Sequence, residues 1–437
     1  METIAFDLSK KGKTFKILNA TNGGPIYKRH AADQLRSNFE DYKAARIPYS
    51  RNHDSNACSI YGGPFVHDIT AIFPDFGADA CAPASYDFAC TDESVLCCLE
   101  AGTKTFFRLG QTIEHQIKKH GTLPPEDFHK WAVICEHIIR HYNEGWANGF
   151  RLGMEYWEIW NEPDLDGDDS PNKRTWGGTK AQFFDLYEIT AKHLKKLFPE
   201  LKIGGPALAG DMKWGEDFLR EMNRRNVPVD FFSWHVYGTR PEKVIKKADE
   251  AKALLVKYGY GNAESILNEW NYVKGWEEEY VYSIKAIHGI KGACFTAAVM
   301  CEAQHSDNID MLMYYDTRPS LFNGAFDFYS LEKLKGYYPL YWYGMFYDMQ
   351  YEIPASVQAE NVYSVCGIDK SGKTLAMIVC YSDDDNAPEK TIKVDFGRKS
   401  EYDVFLLDKN SDGESVSYTE DLVFTVAACS VLLIKEK

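Results

Sequence analysis

Two segments decide the fold: Glu158-Ile159-Trp160-Asn161-Glu162-Pro163-Asp164 and Ile266-Leu267-Asn268-Glu269-Trp270-Asn271. Each begins as an apolar run of the strand type and then presents a glutamate directly after an asparagine. In a (β/α)8 barrel, side chains at the C-terminal ends of the parallel strands converge on one site. Two strands that each deliver a glutamate predict such a barrel, with the carboxylate pair that cleaves glycosidic bonds. A lone Asn-Glu-Pro would also fit a surface turn, but two glutamate segments favour the paired site.

The bulk composition fits a large globular protein. At 437 residues, 45% hydrophobic and 26% charged, the chain can form a barrel of about 250 residues or more with a companion domain. Aromatic residues make up 14% of the chain, which suits sugar binding and core packing alike. With 49 basic and 64 acidic residues the net charge is −15, which argues against a nucleic-acid partner.

The N-terminal residues and the cysteines bear on location. Residues 1–7 lack the basic and apolar regions of a secretory signal, and no apolar run reaches the roughly 18 residues of a membrane span. The 11 cysteines are scattered and contain no C-x-x-C pair, which disfavours zinc and redox sites. We therefore expect reduced thiols, a cytoplasmic location and no membrane partner.

Two patterns of other chemistry are incomplete or absent. Residues 164–169 resemble the start of a calcium loop, but the glycine is misplaced and Thr175 stands where such a loop has glutamate. The sequence has no P-loop and no G-x-G-x-x-G segment. We expect a solvated acidic loop, no metal and no cofactor.

Eight strand-like apolar runs predict the barrel independently of the glutamates. They span residues 15–20, 45–53, 104–109, 155–161, 201–206, 229–237, 265–270 and 310–315. Stretches with helical periodicity, such as 125–143, 180–196 and 241–258, lie between them. This alternation is typical of βα units, and eight of them favour a closed barrel over an open sheet.

The pattern changes after about residue 345. Short alternating runs at 362–367, 375–381, 391–396, 402–407 and 431–435 are separated by polar turns, which predicts an antiparallel β-sandwich. The first dozen residues are also strand-like. The predicted domains are an N-terminal strand at 1–14, a candidate extra strand of the sandwich, then a catalytic barrel at 15–345 and an accessory sandwich at 346–437.

Glycosidic bond cleavage with retention of configuration needs two carboxyl groups about 5–5.5 Å apart. One must stay protonated to serve the leaving oxygen while the other stays ionised, so the two need different surroundings. We assign the Asn-Glu-Pro glutamate, Glu162, as general acid/base and Glu269 as nucleophile.

The sequence resembles glycoside hydrolase family 39 over roughly residues 40–350. Residues 158–164 are similar to the acid/base segment of clan A retaining glycosidases, and 267–270 to their nucleophile strand. Further similar segments are GGPALAG at 204–210, WGEDF at 214–218 and VPVDFFSWHVY at 227–237. The family includes β-xylosidases and α-L-iduronidases, and the resemblance implies a barrel with an accessory β-sandwich.

The resemblance also implies roles for residues around the glutamates. Asn161 would bind the sugar 2-hydroxyl. His235 and Tyr237, alternate residues of one strand, would face the site, with Tyr237 donating to Glu269; a core histidine is the alternative for His235. Arg51 and His53 resemble the family's Arg-x-His, with His53 as a substrate contact and Arg51 as either a substrate contact or a partner of buried carboxylates.

Trp270 is a candidate aromatic wall for the sugar, with core packing as its alternative. The departures from the family pattern are Asn268, where threonine is common, Asp164, where asparagine is usual, and the Asp54-Ser55-Asn56 segment. These departures leave both glutamates unchanged and lie at positions where the protein would select its sugar.

The favoured function is an exo-acting retaining glycosidase, β-xylosidase-like, acting on short saccharides or glycosides. The alternatives keep the mechanism with another glycone (β-galactosidase, β-glucosidase, α-L-arabinosidase or iduronidase-like) or leave a catalytically silent sugar-binding protein. A small saccharide or glycoside is the expected partner, and a homo-oligomer is a further possibility.

Overall fold

The computed structural model describes residues 1–26, 37–53, 65–318, 320–357 and 359–437. The Asp54-Ser55-Asn56 segment lies outside the described residues.

Eight parallel strands close into a barrel in chain order. They are β2 (Ile17–Asn22), β3 (Tyr49–Arg51), β4 (Lys104–Leu109), β5 (Tyr156–Ile159), β6 (Lys202–Leu208), β7 (Phe231–Gly238), β8 (Glu264–Tyr272) and β9 (Met311–Tyr314). The last strand, β9, pairs in parallel with β2 and so closes the barrel. The predicted barrel and its eight strands are confirmed, although several strand ends differ by a few residues.

Helices surround the barrel and connect its strands. In the described part of the chain they are α1 (Phe39–Ala45), α2 (Ile69–Ile72), α3 (Ala89–Glu100), α4 (Phe128–Asn143), α5 (Lys180–Leu197), α6 (Met212–Arg224), α7 (Pro241–Lys257), α8 (Tyr280–Ile287), α9 (Ile290–His305) and α10 (Tyr337–Met345). Side-chain caps fix several starts: Thr179 and Gln182 form a capping box on α5, and Asp211 caps α6.

No single described helix is long and apolar enough to cross a membrane; α8 and α9 together have the required length and composition but are bent by 74° at their junction.

Apolar side chains fill the N-terminal half of the barrel. This plug consists of Ala20, Tyr49, Phe106, Tyr156, Phe231, Ile266, Met311 and Met313. Because the interior is packed at this end, the space for a ligand lies at the C-terminal ends of the strands, where both glutamates follow.

Two sheets form the β-sandwich. In the described residues, one sheet has the order β11 (Ala355–Val357), β1 (Glu2–Phe6), β14 (Lys390–Asp395) and β17 (Val423–Val426). The other has the order β10 (Tyr351–Glu352), β12 (Val362–Ile368), β13 (Thr374–Cys380), β18 (Ser430–Glu436), β15 (Tyr402–Leu407) and β16 (Asp412–Ser415).

The N-terminal strand joins this sandwich, as the sequence suggested. Strand β1 pairs with β11 antiparallel and with β14 parallel. Among the described residues the sandwich is therefore antiparallel except for the pair of β1 and β14, because β1 precedes the barrel in the sequence and is not joined to β14 by a hairpin. The domain limits 1–14, 15–345 and 346–437 stay our proposal.

Candidate active site

Glu162 projects from an irregular turn after β5. Trp160 and Glu162 both adopt positive φ, 73° and 49°, a conformation uncommon for residues other than glycine. The turn is held by hydrogen bonds from Glu162 N to Ala207 O (2.9 Å) and from Thr175 Oγ1 to Glu162 O (2.5 Å). A Cβ at Gly110 would lie 3.0 Å from Trp160 Cα, so a larger residue at this position would press on the turn. The neighbouring strands thus fix the direction of Glu162.

Glu269 lies within β8, next to an extra residue in the strand. Along β7 and β8, Trp234 pairs with Leu267 but His235 pairs with Glu269, so Asn268 has no partner on β7 and forms a β-bulge. Tyr237 Oη donates to Glu269 Oε2 at 3.1 Å. The side chain of Glu269 is only 6% exposed, at the bottom of the cavity.

The two carboxyl groups meet across His235. His235 Nδ1 is 2.8 Å from Glu162 Oε1 and 3.5 Å from Glu269 Oε2. One oxygen from each glutamate and one ring nitrogen lie within 4.8 Å of one another. This proximity is compatible with the short carboxyl separation of retaining glycosidases, about 5–5.5 Å, and too small for an intervening nucleophilic water.

Arg51 donates hydrogen bonds to two buried carboxylates, those of Glu158 and Glu269. Its Nη1 donates to Glu269 Oε1 (2.8 Å) and to Asn22 Oδ1 (3.1 Å), and its Nε donates to Glu158 Oε2 (2.7 Å). Its Nη2 contacts the same Glu158 oxygen and Asn161 Oδ1, each at 2.7 Å. The guanidinium is completely buried and its donors are engaged by protein acceptors. The structure therefore places Arg51 as a partner of buried carboxylates rather than on the ligand-facing wall.

Burial dominates the electrostatics of the site. It raises the pKa of Glu269, while His235 and Arg51 oppose that rise. It also lowers the pKa of His235 to about 4, so this imidazole is neutral near pH 7. Burial raises the pKa of Tyr237 well above its ordinary value, so Tyr237 keeps its proton and donates to Glu269.

The carboxyl groups open into a cavity of about 850 Å³. Its lining includes His53, Glu162, His235, Tyr237 and Glu269. His53 Nε2 is 3.5 Å from Glu269 Oε1. Asn161 is buried beside these groups, and the contact of its Oδ1 with Arg51 leaves its amide nitrogen as the donor available to a ligand.

An aromatic wall on this cavity was missed by the sequence analysis. Trp276, Tyr280, Tyr315 and Phe322 line it, and Trp276 is 57% exposed. Trp276 and Tyr315 follow strand ends, Tyr280 begins α8, and none of the four rings belongs to a motif, so only their clustering identifies them. Trp270, the predicted wall, is instead fully buried against Phe295 of α9, because successive side chains of a strand point to opposite faces.

The acidic loop is partly engaged by protein groups rather than simply solvated. Asp164 accepts the backbone N–H groups of Ala209 (2.8 Å) and Asp211 (3.1 Å), and burial raises its pKa to about 7. Asp166 pairs with Arg174 at 2.8 Å. These contacts account for two of the acidic side chains without calcium.

The triad of Glu162, His235 and Glu269 has the spacing needed for cation ligands. However, Arg51 already places a positive charge 2.8 Å from Glu269, which disfavours a second cation at the same carboxylate.

Comparison with known proteins gives the family context. Residues 30–323 match the model of glycosyl hydrolases family 39. A β-xylosidase of Geobacillus stearothermophilus is 26% identical over 321 residues, 63% of this chain and 59% of that protein. A β-xylosidase of Caldicellulosiruptor saccharolyticus is 30% identical over 165 residues, 36% of this chain and 32% of that protein. The chain thus spans less than two thirds of the length of these curated relatives.

A solved glucosidase structure from Croceicoccus marinus covers 100% of this chain and 98% of its own, with a TM-score of 0.78 and 21% identity. At this identity the likeness supports the fold alone. The family match covers more than half of the chain and includes both glutamate segments. The chain therefore belongs to glycosyl hydrolases family 39, a family of retaining glycosidases.

Proposed function

We propose that this protein is an exo-acting retaining glycosidase, β-xylosidase-like, that hydrolyses short saccharides or glycosides by double displacement. The observation that carries the proposal is the approach of Glu162 and Glu269 to within 4.8 Å around His235. The names of the two curated relatives support xylose as the first glycone to test.

In the first step Glu269 attacks the anomeric carbon and Glu162 gives its proton to the leaving oxygen, so the glycosidic C–O bond breaks as the enzyme–sugar ester forms. In the second step Glu162 takes a proton from water, which attacks the same carbon and releases Glu269. Arg51 and Tyr237 donate to Glu269 and stabilise its anion before the first step and after the second. Asn161 would donate to the sugar 2-hydroxyl, and His53 would contact the same sugar.

A glucosidase is the second candidate, because the solved glucosidase shares the fold along the whole chain. The mechanism would be unchanged and the glycone would differ by one hydroxymethyl group. β-Galactosidase, α-L-arabinosidase and iduronidase-like activities remain further alternatives, which differ in the sugar that is released. A catalytically silent sugar-binding protein is disfavoured because both carboxyl groups are present and paired around one histidine.

The deciding experiment is a panel of aryl glycosides of xylose, glucose, galactose, arabinose, fucose and glucuronic acid, with wild type beside Glu269→Ala. We expect one or two members to be hydrolysed, with xylose the first candidate, and that activity to be lost in the variant. Binding of a sugar without turnover by well-folded wild-type protein would support the sugar-binding alternative instead.

Location and assembly are proposed from the sequence. We propose a cytoplasmic protein, and the ten described cysteines are free thiols, as a reducing compartment favours. Fractionation of the source cells tests this. Light scattering tests the proposed homo-oligomer.

A further inference from the structure

A turn of the β-sandwich reaches the barrel close to the aromatic wall of the cavity. This sandwich turn, residues 382–386 between β13 and β14, carries Asp383 and Asp385. The Asp383 carboxylate accepts a hydrogen bond from Tyr272 Oη at 2.6 Å. Both carboxylate oxygens of Asp385 lie 2.9 Å from Tyr282 Oη. One short turn of the sandwich therefore contacts two tyrosines of the barrel.

The two tyrosines flank the chain segment that contributes two rings to the wall. Tyr272 is the last residue of β8, and Tyr282 lies in the first turn of α8. Between them lie residues 273–281, the wall segment, with Trp276 and Tyr280 facing the cavity. The sandwich turn thus binds the residues at both ends of the wall segment.

Lys291 of α9 joins these contacts into one network. Its Nζ donates to Asp385 Oδ1 and to the backbone oxygen of Asp383, each at 2.6 Å. It also donates to Tyr282 Oη at 2.9 Å. Burial lowers the pKa of Lys291, but the hydrogen bonds to Asp385 and Tyr282 outweigh burial, so the pKa is raised. A largely buried ammonium group held by three oxygens makes a more rigid contact than an exposed ion pair.

The wall segment has little support of its own. Val273 is its one buried side chain, and most of the others are exposed. The backbone N–H of Val273 donates to Gly238 O at 3.1 Å. The backbone N–H of Lys274 donates to Ser283 Oγ at 2.9 Å. A segment with so few buried contacts opens readily, so its placement depends on the residues at its two ends.

Trp276 connects the wall segment to the carboxylate site. Its ring centroid is 5.2 Å from that of Tyr237, at an interplanar angle of 79°, and Tyr237 donates to Glu269. Trp276 also stacks on Tyr280 and packs against Phe322, with centroid distances of 6.4 and 5.9 Å. The wall therefore begins one residue away from Glu269, where the apolar C–H face of a bound sugar can pack against aromatic rings.

We propose that the sandwich turn positions Trp276 for the saccharide through Tyr272 and Tyr282, so that the accessory sandwich contributes to substrate affinity. Asp383 and Asp385 act as positioning residues, since neither lines the cavity. The kinetic consequence rests on the proposed function. Stacking on Trp276 acts in the substrate complex and in the transition state alike, so its loss should raise KM and leave kcat nearly unchanged.

The first test needs no substrate. Amide hydrogen exchange of peptides that cover the wall segment is compared between wild type and the double variant Asp383→Ala/Asp385→Ala. We expect about three- to tenfold faster exchange in the double variant, because loss of the contacts at both ends favours local opening. Unchanged exchange in a folded double variant would overturn the proposal, whether or not the enzyme hydrolyses glycosides.

The matched control is Asp384→Ala, a substitution of the same kind in the same turn. The Asp384 carboxylate accepts from Asn386 N within the turn at 2.9 Å, and among the described residues it forms no hydrogen bond or ion pair with the barrel. Exchange in the wall segment should therefore equal that of wild type. If the double variant does not fold, Tyr282→Phe removes a single hydroxyl and should change the exchange in the same direction.

The second test uses the aryl glycoside that the wild-type enzyme hydrolyses. The double variant should raise KM by about three- to tenfold and change kcat by less than about twofold, the scale of a lost aromatic contact. Asp384→Ala should keep the wild-type KM, and Tyr282→Phe should raise it. A loss confined to kcat in the double variant would contradict the positioning role.

A double-mutant cycle tests whether the effect passes through Trp276. Trp276→Ala should itself raise KM. In the Trp276→Ala background, removal of the Asp383 and Asp385 carboxylates should change KM by less than about twofold, because the same ring contact cannot be lost twice. Additive losses would contradict the proposal. Failure of Glu269→Ala to abolish hydrolysis would contradict the proposed function instead, and the exchange measurement would then decide the positioning role alone.

Discussion

Glu162 and Glu269 carry the same functional group, but the backbone conformation differs between the two positions. Glu162 follows a strand on a turn with positive φ, and its side chain is 15% exposed. Glu269 lies inside a strand and its side chain is 6% exposed. The hydrogen-bond partner of Glu162 across the site is a neutral imidazole, whereas Glu269 receives a guanidinium and a phenol hydroxyl.

This difference indicates how one barrel can assign two roles to two identical side chains. Hydrogen-bond donors favour the ionised carboxyl, and Glu269 receives two of them, from Arg51 and Tyr237. Position alone does not make the distinction, because both glutamates reach the same cavity.

Removing the carboxylate of Glu269 should have the largest effect on activity. Glu269→Ala is expected to lower kcat for aryl glycosides by at least about 10³-fold, since no covalent intermediate can form. Azide should restore turnover and release a product of inverted configuration, measured by NMR. Glu264→Gln, at the other end of the same strand and paired with Lys202, is the control and should stay near wild type.

Removing the acid should produce a smaller and selective loss. Glu162→Ala is expected to reduce kcat/KM by about 10²–10⁴-fold for poor leaving groups and far less for nitrophenolates, which need no proton. A Brønsted plot across leaving groups measures the contrast. Glu155→Gln is the control, because Glu155 lies just before β5 and Glu162 follows the same strand. Equal losses for all leaving groups would contradict the acid role.

Removing the shared cation tests how strongly the two sides of the site depend on Arg51. Arg51→Met leaves Glu158 and Glu269 without their buried partner, so the free energy of unfolding should fall by about 3–5 kcal/mol in urea denaturation. Arg46→Met breaks an exposed pair with Asp348 and should cost only about 0–1 kcal/mol. Similar losses in both variants would argue against the network.

The smallest expected effect is that of a chelator. Neither proposed chemical step uses a metal ion, so dialysis against EDTA should leave kcat/KM within experimental error of the untreated enzyme. Loss of activity that returns with a divalent cation would assign the Glu162, His235 and Glu269 triad to a metal after all.

The sequence predicted those parts of the structure that have a periodic or motif signal. Apolar runs located all eight barrel strands, and the paired Asn-Glu segments located both carboxyl groups. Short strands such as β10 and β16 were missed because two to four residues carry no usable periodicity. The parallel pairing of β1 with β14 was equally invisible, since it joins residues almost 400 positions apart.

Within the site, the sequence left two choices open that burial resolves. Arg51 was a candidate for both substrate contact and charge partner, and its zero exposure places it with the carboxylates. Trp270 was a candidate wall, but the alternation of β8 turns it toward α9. The roles of Glu162, Glu269, Asn161, His53, His235 and Tyr237 in turnover stay predictions until the variants are measured.

The pairing of β1 between β11 and β14 also affects how the chain is made. These five residues leave the ribosome before the barrel, yet both neighbours lie beyond residue 350. Ile4 and Phe6, which end up buried, must stay exposed throughout synthesis of the barrel. Cutting the gene between barrel and sandwich would therefore leave the sandwich fragment without β1 and the barrel fragment with a strand that lacks its partners. A circular permutant that starts near residue 15 and carries 1–14 at its end would keep the sandwich strands in one continuous stretch.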